Sequence, residues 1–574
     1  MERFGRNYCG DINDSQELSV NSDPNLRMTS ESTNKHVFYP DHSDDNSDHS
    51  DRFKQLCRLS LTVILITGFF LRFYHLQQLF HFEFDEEVIA WKLRQFVESG
   101  KPFLIGGGTP FGFHLGPAFY YLSAVPLFFS RLNPVGWGIA AAVFGIGTIW
   151  LMWFAGKTLY NGRIGLMAAL LWATSFTVVM SDRHWWPLVL DPMLSLVVIL
   201  CLFHILKNGK FTKLPILWWT ILGATLAFAW QADLTVLPLF LAVGVIAVLN
   251  FRRQWKGILI AGAILLISFL PLVFFEFRHP GVNFGQLAFS HKRLDLSWLE
   301  FLKTIAFVQA VLGRLLFPIS HLDGNLLKFY SWCREMVDDR IIGQPWWAGE
   351  VTIILLIVPF ISEKFAKRHN LREVSQTSRS EADRILSIVI SSGVVGIFIF
   401  RLGGGNLYDF YLAVLYPVVI LLAARAISYI WEKWGRIVAV LAVVIIAGFN
   451  LFIISKSYHP QSLAVKQQAV AWAISNVGKE EFDLDSISNC SRYNGVRYLF
   501  LLGGKEPQSS FEDQDLSWLY DKKGGYMKPR YLVTFITPDD LTPEQNKQYN
   551  QLKQGPVNSK IFSPGLEVII SGYD

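Results

Sequence analysis

Hydrophobic and polar positions divide the chain into three zones. Residues 1–55 are polar and include the run Asp41-His42-Ser43-Asp44-Asp45-Asn46-Ser47-Asp48-His49-Ser50-Asp51. Too few apolar side chains are present to offset the entropy of ordering, so a disordered tail is expected. Long apolar runs follow. The first, Leu59–Leu71, opens after Arg58 and continues to about Leu79. The polar stretch ahead of it predicts a signal anchor rather than a cleaved signal peptide. Further runs cover 135–156, 164–180, 188–206, 214–230, 234–249, 257–275, 351–361, 385–400, 410–430 and 437–455. A crossing needs about 20 apolar residues, fewer where neighbours bury its ends. Trp346-Trp347-Ala348 lengthens the 351–361 run, and about eleven membrane helices are expected. Residues 456–574 return to a soluble pattern, with a helix over Gln461–Val477 and strands over Val496–Leu502, Tyr531–Ile536 and Leu566–Ser571.

Lysines and arginines in the short loops give these runs a direction. Lys157/Arg163, Lys207/Lys210/Lys213, Arg252/Arg253/Lys256, Lys364/Lys367/Arg368 and Lys433/Arg436 fall at alternate ends of successive runs. All therefore lie on one side, read as the cytoplasm, together with the tail. Gly116–Arg131 is apolar too, but a crossing there would invert every later basic loop, so an interfacial or re-entrant helix is expected. Phe301–Pro318, interrupted by Lys303 and Arg314, is read the same way. The fold class is thus mainly α and polytopic: a cytoplasmic tail over 1–55, a multi-pass domain over 56–455 with outer loops 80–133 and 277–346, and a small extracytoplasmic α/β domain over 456–574.

Composition agrees. Hydrophobic residues make up 51% and charged residues 17%, with 46 Phe and 19 Trp. Soluble domains carry roughly 25% charge, so soluble-enzyme, collagen-like and wholly disordered readings are excluded. A net charge of +5 is small for 574 residues and implies no nucleic-acid partner.

Four polar clusters break the apolar pattern. Glu83-Phe84-Asp85-Glu86-Glu87 follows the first run. Ile89, Leu93, Phe96 and Val97 then share one face, which predicts an amphipathic helix over 86–99 lying on the membrane. Asp85 is either its N-cap, with Glu86 and Glu87 complementing the helix dipole, or a carboxylate held at the bilayer surface as a general base. Ser181-Asp182-Arg183-His184-Trp185-Trp186-Pro187 precedes Asp191, whose carboxylate inside the start of a run needs a partner such as Arg183 or His184 and reads equally as a structural ion pair or an active-site carboxylate. Arg278-His279 and His291-Lys292-Arg293 suit a phosphate or an anionic headgroup, or snorkel at the interface. Arg401 and Gly403-Gly404-Gly405 lead into Tyr408-Asp409-Phe410-Tyr411.

In this order, the clusters resemble the GT-C glycosyltransferases of the protein O-mannosyltransferase and aminoarabinose-transferase type, over roughly 57–455. Asp85-Glu86 match that family's first-loop acidic pair. Gly116-Pro117-Ala118-Phe119-Tyr120-Tyr121 look like its second interfacial-helix motif, Arg183 and Asp191 its second-loop residues, and Phe410-Tyr411…Tyr416-Pro417 its late Tyr…Pro segment. The basic residue the family places before its Pro-Pro is replaced by Leu115 and Gly116, with His114 one step earlier. The resemblance implies an inverting transferase that moves a sugar from a polyprenyl-phosphate donor to a lipid, glycan or protein acceptor at the outer face of the cell membrane. Asp85 and Glu86 would be catalytic. His114, Tyr120, Arg183, Asp191, Arg278, His291, Lys292, Arg293 and Tyr411 would contact substrate or phosphate. No metal site is assigned, although Glu83, Asp85 and His114 are residue types that hold a divalent ion. A lipid-linked sugar flippase or transporter is the alternative, expected to show inverted repeats and ionisable groups at mid-membrane.

Overall fold

The structure is a computed structural model that describes residues 43–573, apart from residue 110 and the segments 208–214, 286–296, 331–335, 338–339, 369–375, 403–406, 490–493 and 521–528. The first half of the chain forms α1 (Ser43–Phe73), α2 (Leu76–Leu79), α3 (Phe84–Ser99), α4 (Ala118–Phe129), α5 (Val135–Leu159), α6 (Gly162–Thr174), α7 (Phe176–Ser181), α8 (Asp191–Lys207), α9 (Pro215–Ala232), α10 (Leu237–Ile267) and α11 (Leu270–Arg278). Then come α12 (Trp298–Leu316), α13 (Leu326–Tyr330), α14 (Trp346–Arg368), α15 (Gln376–Leu402), α16 (Tyr416–Lys433) and α17 (Arg436–Lys456).

Among the described residues, seven helical runs are long and apolar enough to cross a membrane. One of them, Leu234–Arg278, has 45 residues, more than twice what one crossing needs. Its second half lies beside α9 and runs in the same direction. Trp219 Nε1 donates to Gln254 Oε1 at 3.3 Å, Gly223 packs on Ala261, and Trp230 Nε1 donates to Ser268 Oγ at 2.7 Å. Only a short turn joins α9 to α10, so the first half of α10 travels the opposite way and the chain reverses near Arg252, Arg253 and Lys256. The run is two passes. Shorter apolar helices at Gly162–Thr174, Ile216–Ala232 and Trp346–Ile361 complete the helical body.

Polar side chains sit where this body needs them. The apolar run 164–180 is broken at Ser175, leaving the first amides of α7 without helical partners. Asn450 of α17, 1% exposed, fills the gap. Its Oδ1 accepts the Phe176 N–H at 2.8 Å and its Nδ2 donates to the Leu316 and Ile446 carbonyls at 2.8 Å. Arg72 of α1 is fully buried and donates from Nε to Asp182 Oδ2 at 2.7 Å. This pair passes close over α5 at Gly145, where a Cβ would stand 2.4 Å from Asp182 Oδ2 and 2.6 Å from Arg72 Nε.

After α17 the chain forms α18 (Leu463–Val477), α19 (Val496–Leu502) and a four-stranded sheet, following the small hairpin β1 (Met336–Val337) and β2 (Arg340–Ile341) between α13 and α14. The sheet comprises β3 (Phe482–Ile487), β4 (Tyr531–Ile536), β5 (Asn558–Ser563) and β6 (Leu566–Gly572) in the order β3-β4-β6-β5. β3 pairs parallel with β4, while β4–β6 and β5–β6 are antiparallel. Val496–Leu502, expected as a strand, is a helix. Its nearly unbroken apolar block carries no periodicity that separates the two, and β3 and β5 supply the strands instead. This unit docks on the segment between α2 and α5. Leu463 N–H donates to the Phe80 carbonyl at 3.1 Å, Lys466 Nζ to the Phe82 carbonyl at 2.6 Å, and Tyr498 Oη to the Leu132 carbonyl at 2.8 Å.

Candidate active site at the start of helix α3

Chemistry-bearing residues collect at the N-terminus of α3. Glu83, not Asp85, is its N-cap. A capping box joins Glu83 and Glu86, with Glu86 Oε2 accepting the Glu83 N–H at 3.0 Å. Asp85 is released from capping, and its side chain is solvent-exposed. Protein nevertheless crowds the carboxyl, and that desolvation pushes it up to about 6. Neighbouring Glu86 and Asp233 add to the shift and His184 opposes it. Glu86 and Glu87 are buried. Glu86 meets the Nε2 of His184. Glu87 Oε1 accepts from Trp91 Nε1 at 3.3 Å and from the Tyr498 N–H at 2.7 Å. The buried face of α3 includes Ile89 and Leu93, but Val97 points outward at 51% exposure. The helix packs beneath the C-terminal unit, so its last turn has no buried face to supply.

A second group of carboxylates neighbours Asp85. Asp233, in the turn between α9 and α10, accepts the Thr235 N–H through Oδ1 at 2.8 Å. Burial pushes its carboxyl above the usual range. Thr235 Oγ1 donates to Asp191 Oδ2 at 2.6 Å, and Asp191 Oδ1 is buried without a hydrogen-bond partner. The expected pairing of Asp191 with Arg183 or His184 is therefore corrected. His184 is taken by Glu86, and Arg183 is fully buried with Nη2 donating to the Leu71 and Tyr74 carbonyls at 2.5 and 2.7 Å. Arg183 thus closes the C-terminal end of α1, where carbonyls lack helical partners. Tyr411 lies half-buried within electrostatic reach of Asp233.

Lys92 sits two turns along α3 from Asp85. It is 9% exposed, and its Nζ donates to Tyr120 Oη at 3.2 Å. The ammonium lies over the rings of Tyr120 and Trp518, 4.9 and 5.2 Å from their centroids. Trp518 comes from the C-terminal unit, held there by Gln95 Nε2, which donates to the Leu519 carbonyl at 2.8 Å. Desolvation lowers Lys92 to about 8. His114 belongs to the same neighbourhood. Burial and then Lys92 lower its pKa, and its backbone is fixed to Asn283 Oδ1 at 2.6 Å. Arg278 ends α11 in solvent, and His291, Lys292 and Arg293 lie outside the described residues. Asp233 and Lys92 are absent from the sequence-based site. Each breaks its local pattern: Asp233 is a carboxylate following directly on an apolar run, and Lys92 a cation on the packed side of an amphipathic helix.

Behind the capping box, His81, Glu86 and His184 each offer a ligand atom within 4.8 Å of one another, all buried. The sequence instead singled out Glu83, Asp85 and His114, but His114 stands beside the Lys92 ammonium, a poor neighbour for a cation. His81 Nδ1 also lies 3.1 Å from His459 Nε2, and the His81 ring stacks on Tyr330 at 4.4 Å. Two imidazoles and a carboxylate match the donor types zinc takes, and Glu86 and His184 also contact one another directly. A cavity of about 50 Å³ adjoins His184 and is lined by Asp182, Trp186, Tyr330, Asp409 and Tyr416. It has room for a few waters rather than a saccharide.

No family model and no curated protein matches the chain. Solved structures do. ArnT from Cupriavidus metallidurans in the apo state superposes with a TM-score of 0.53 at 13% identity, covering 90% of this chain and 98% of that one. The same protein bound to undecaprenyl phosphate gives 0.49 at 13% identity over 89% and 97%. The Archaeoglobus fulgidus oligosaccharyltransferase in complex with Zn and sulfate gives 0.46 at 12% identity over 83% and 67%. The likeness to apo ArnT extends over nearly the whole of both chains and is one of architecture. The chain has the GT-C fold.

Proposed function

We propose that this chain is an inverting glycosyltransferase that moves a sugar from a polyprenyl-phosphate donor to an acceptor at the outer face of the membrane, with Asp85 as general base. The observation that carries the reading is Asp85 itself. It stands at the start of α3, just past the first span, is open to solvent, and has its carboxyl raised to about 6. A base works best with a pKa near the operating pH. An isoprenoid donor stays in the bilayer, so its phosphosugar lies at the depth of Asp85. The acceptor hydroxyl or amine attacks the anomeric carbon and Asp85 takes its proton. The bond from that carbon to the phosphate oxygen breaks, and its electron pair leaves with the polyprenyl phosphate. One displacement inverts the centre.

Glu86 is a positioning residue in this reading, holding the first turn of α3 through the capping box and His184. Asp191 and Asp233 offer acceptor oxygens for sugar or acceptor hydroxyls, and Tyr411 closes their side. A divalent ion at His81, Glu86 and His184 would brace the same turn without entering the displacement. The five basic clusters support a cytoplasmic N-terminus and an outer C-terminal unit. Purified protein in phosphatidylcholine nanodiscs, given polyprenyl-phosphate sugars and a cell-envelope extract, tests the reading by mass spectrometry. Free polyprenyl phosphate and a new glycoconjugate should both appear. Movement of the intact donor between leaflets, with no new glycosidic bond, would instead make the protein a flippase.

A further inference from the structure

Tyr498 of the C-terminal unit is fully buried and holds two separate elements of the helical body at once. Its backbone N–H, one of the first amides of α19 and so without a helical partner, donates to Glu87 Oε1 on α3 at 2.7 Å. Its ring meets that of Trp91, also on α3, edge-on with centroids 5.4 Å apart. Its hydroxyl donates to the Leu132 carbonyl at 2.8 Å, in the turn from α4 to α5. In that turn Arg131 and Leu132 have φ of 55° and 65°, the left-handed region that residues other than glycine seldom adopt. Such a backbone persists only where its surroundings hold it, and Tyr498 Oη supplies part of that hold.

The two ends of this bridge belong to different frames. α4 is locked to the body. Ser123 accepts Trp137 Nε1 of α5 through its carbonyl and Trp185 Nε1 through its hydroxyl, both at 2.8 Å. Gly116, just ahead of α4, packs so closely on Gln231 that a Cβ there would stand 2.4 Å from Gln231 Cγ. Gln231 is two residues before Asp233, and Thr235 ties that turn to Asp191. α3 carries Asp85 and lies between this body and the C-terminal unit. The unit approaches its first turn at close range: a Cβ at Gly495, whose φ is 74°, would stand 2.9 Å from the Phe82 ring and 3.3 Å from the Glu83 carbonyl oxygen. Tyr498 therefore sets the seat of Asp85 relative to the frame that carries Asp191 and Asp233.

From this bridge we infer that Tyr498 is a positioning residue of the transfer reaction, acting through α3 to hold Asp85 in reach of the proton it takes, so that the C-terminal unit is a working part of the active site. The inference rests on the glycosyl-transfer reading and deepens it. A base must lie within hydrogen-bond reach of its proton, and a displacement of about 1 Å costs on the order of 10²-fold in rate. The donor's isoprenoid tail lies in the bilayer, away from the bridge, so the loss should fall on kcat and not on donor KM.

The test measures kcat and donor KM for the full chain in phosphatidylcholine nanodiscs, with polyprenyl-phosphate sugars and the envelope extract as above, and the melting temperature of the same samples. Tyr498→Phe keeps the backbone N–H and the ring and loses only the hydroxyl. Its kcat should fall about tenfold with donor KM within about twofold of wild type, and Tyr498→Ala should lose about 10²-fold in kcat. Ile569→Val is the control for stability alone. It sits in the same unit, packed with Ile487 and Ile536 under Leu541 and Tyr549, and should lower the melting temperature while leaving kcat within about twofold of wild type. Wild-type kcat in Tyr498→Phe, a raised donor KM with kcat unchanged, or a loss of kcat that Ile569→Val reproduces would overturn the positioning role and leave the transferase reading standing. A wild type that releases no polyprenyl phosphate from any donor would overturn the reading on which the inference rests.

Discussion

Asp85 and Asp191 show how far a residue's neighbourhood decides what its chemistry is worth. Both are aspartates beside an apolar run. Asp191 is wholly buried and hydrogen-bonded to Thr235, whereas Asp85 is reached by solvent with Glu83 doing its capping. The sequence placed Asp85 correctly at the head of a helix but could not decide between cap and base, because a capping Glu two positions earlier is unusual. A pH profile separates the two. The base acts when deprotonated, and its pKa is raised to about 6, so kcat/KM should fall as pH drops through about 6. Asp233→Asn removes one of the charges that raise Asp85, so the acid limb should move toward lower pH. An unmoved limb would mean Asp233 does not face Asp85. Arg183 is the converse case, a residue the family resemblance assigned to phosphate. Its guanidinium is committed to two carbonyls at the end of α1, so Arg183→Lys should lower the melting temperature while leaving polyprenyl-phosphate affinity within about twofold.

At the scale of elements, the site depends on how α3 is clamped. Glu87 receives the Tyr498 N–H from the C-terminal unit, and Glu512 of that unit is buried beside it. Burial, then the neighbouring Glu87, raise Glu512 well above its ordinary range, and burial raises Glu87. Both folded values exceed the unfolded ones, so the stabilisation is fully present below about 4.5 and is lost as pH rises through the folded pKa values. Glu512→Gln stays neutral at every pH. It should therefore raise the melting temperature at pH 8 and change it little at pH 4. An equal shift at both would show that the pair does not share a proton. None of this clamp was legible in sequence: Glu87 and Glu512 are 425 positions apart, and Val496–Leu502 read as a strand because its apolar block fits either period. The apolar passes were legible, since each must satisfy the same length constraint. The Arg72–Asp182 pair behaves as buried ion pairs do. Arg72→Leu alone should cost about 3–5 kcal/mol by stranding Asp182, and Arg72→Leu with Asp182→Leu should recover most of it in thermal melts.

Over the whole molecule, the hydrophobic pattern fixes a body of membrane helices, and the basic loops predict a direction for it. That direction is checked by labelling substituted cysteines in intact cells with an impermeant reagent. Ser99→Cys and Lys479→Cys, both solvent-exposed, should react from outside, and Arg253→Cys only after permeabilisation. The reverse pattern would put α3 and its carboxylates in the cytoplasm. Long-range convergence is what the chain pattern hides. Lys92, Asp233 and Trp518 come from a helix, a turn and a C-terminal unit far apart in sequence, and only folding shows that they share a neighbourhood with Asp85. The family resemblance covered Asp85 and Tyr120 because those lie in local motifs. It missed Lys92, because that residue stands on α3, outside the motif, and meets Tyr120 only in the fold.

The most direct measurement is single-turnover transfer by Asp85→Asn in nanodiscs against wild type, with expression, melting temperature and polyprenyl-phosphate binding measured on the same samples. Transfer should fall by about 10²–10⁴-fold, the span of general-base assistance, with the other three unchanged. Transfer within a few-fold of wild type would mean that the proton leaves the acceptor by another route and that Asp85 is not the base.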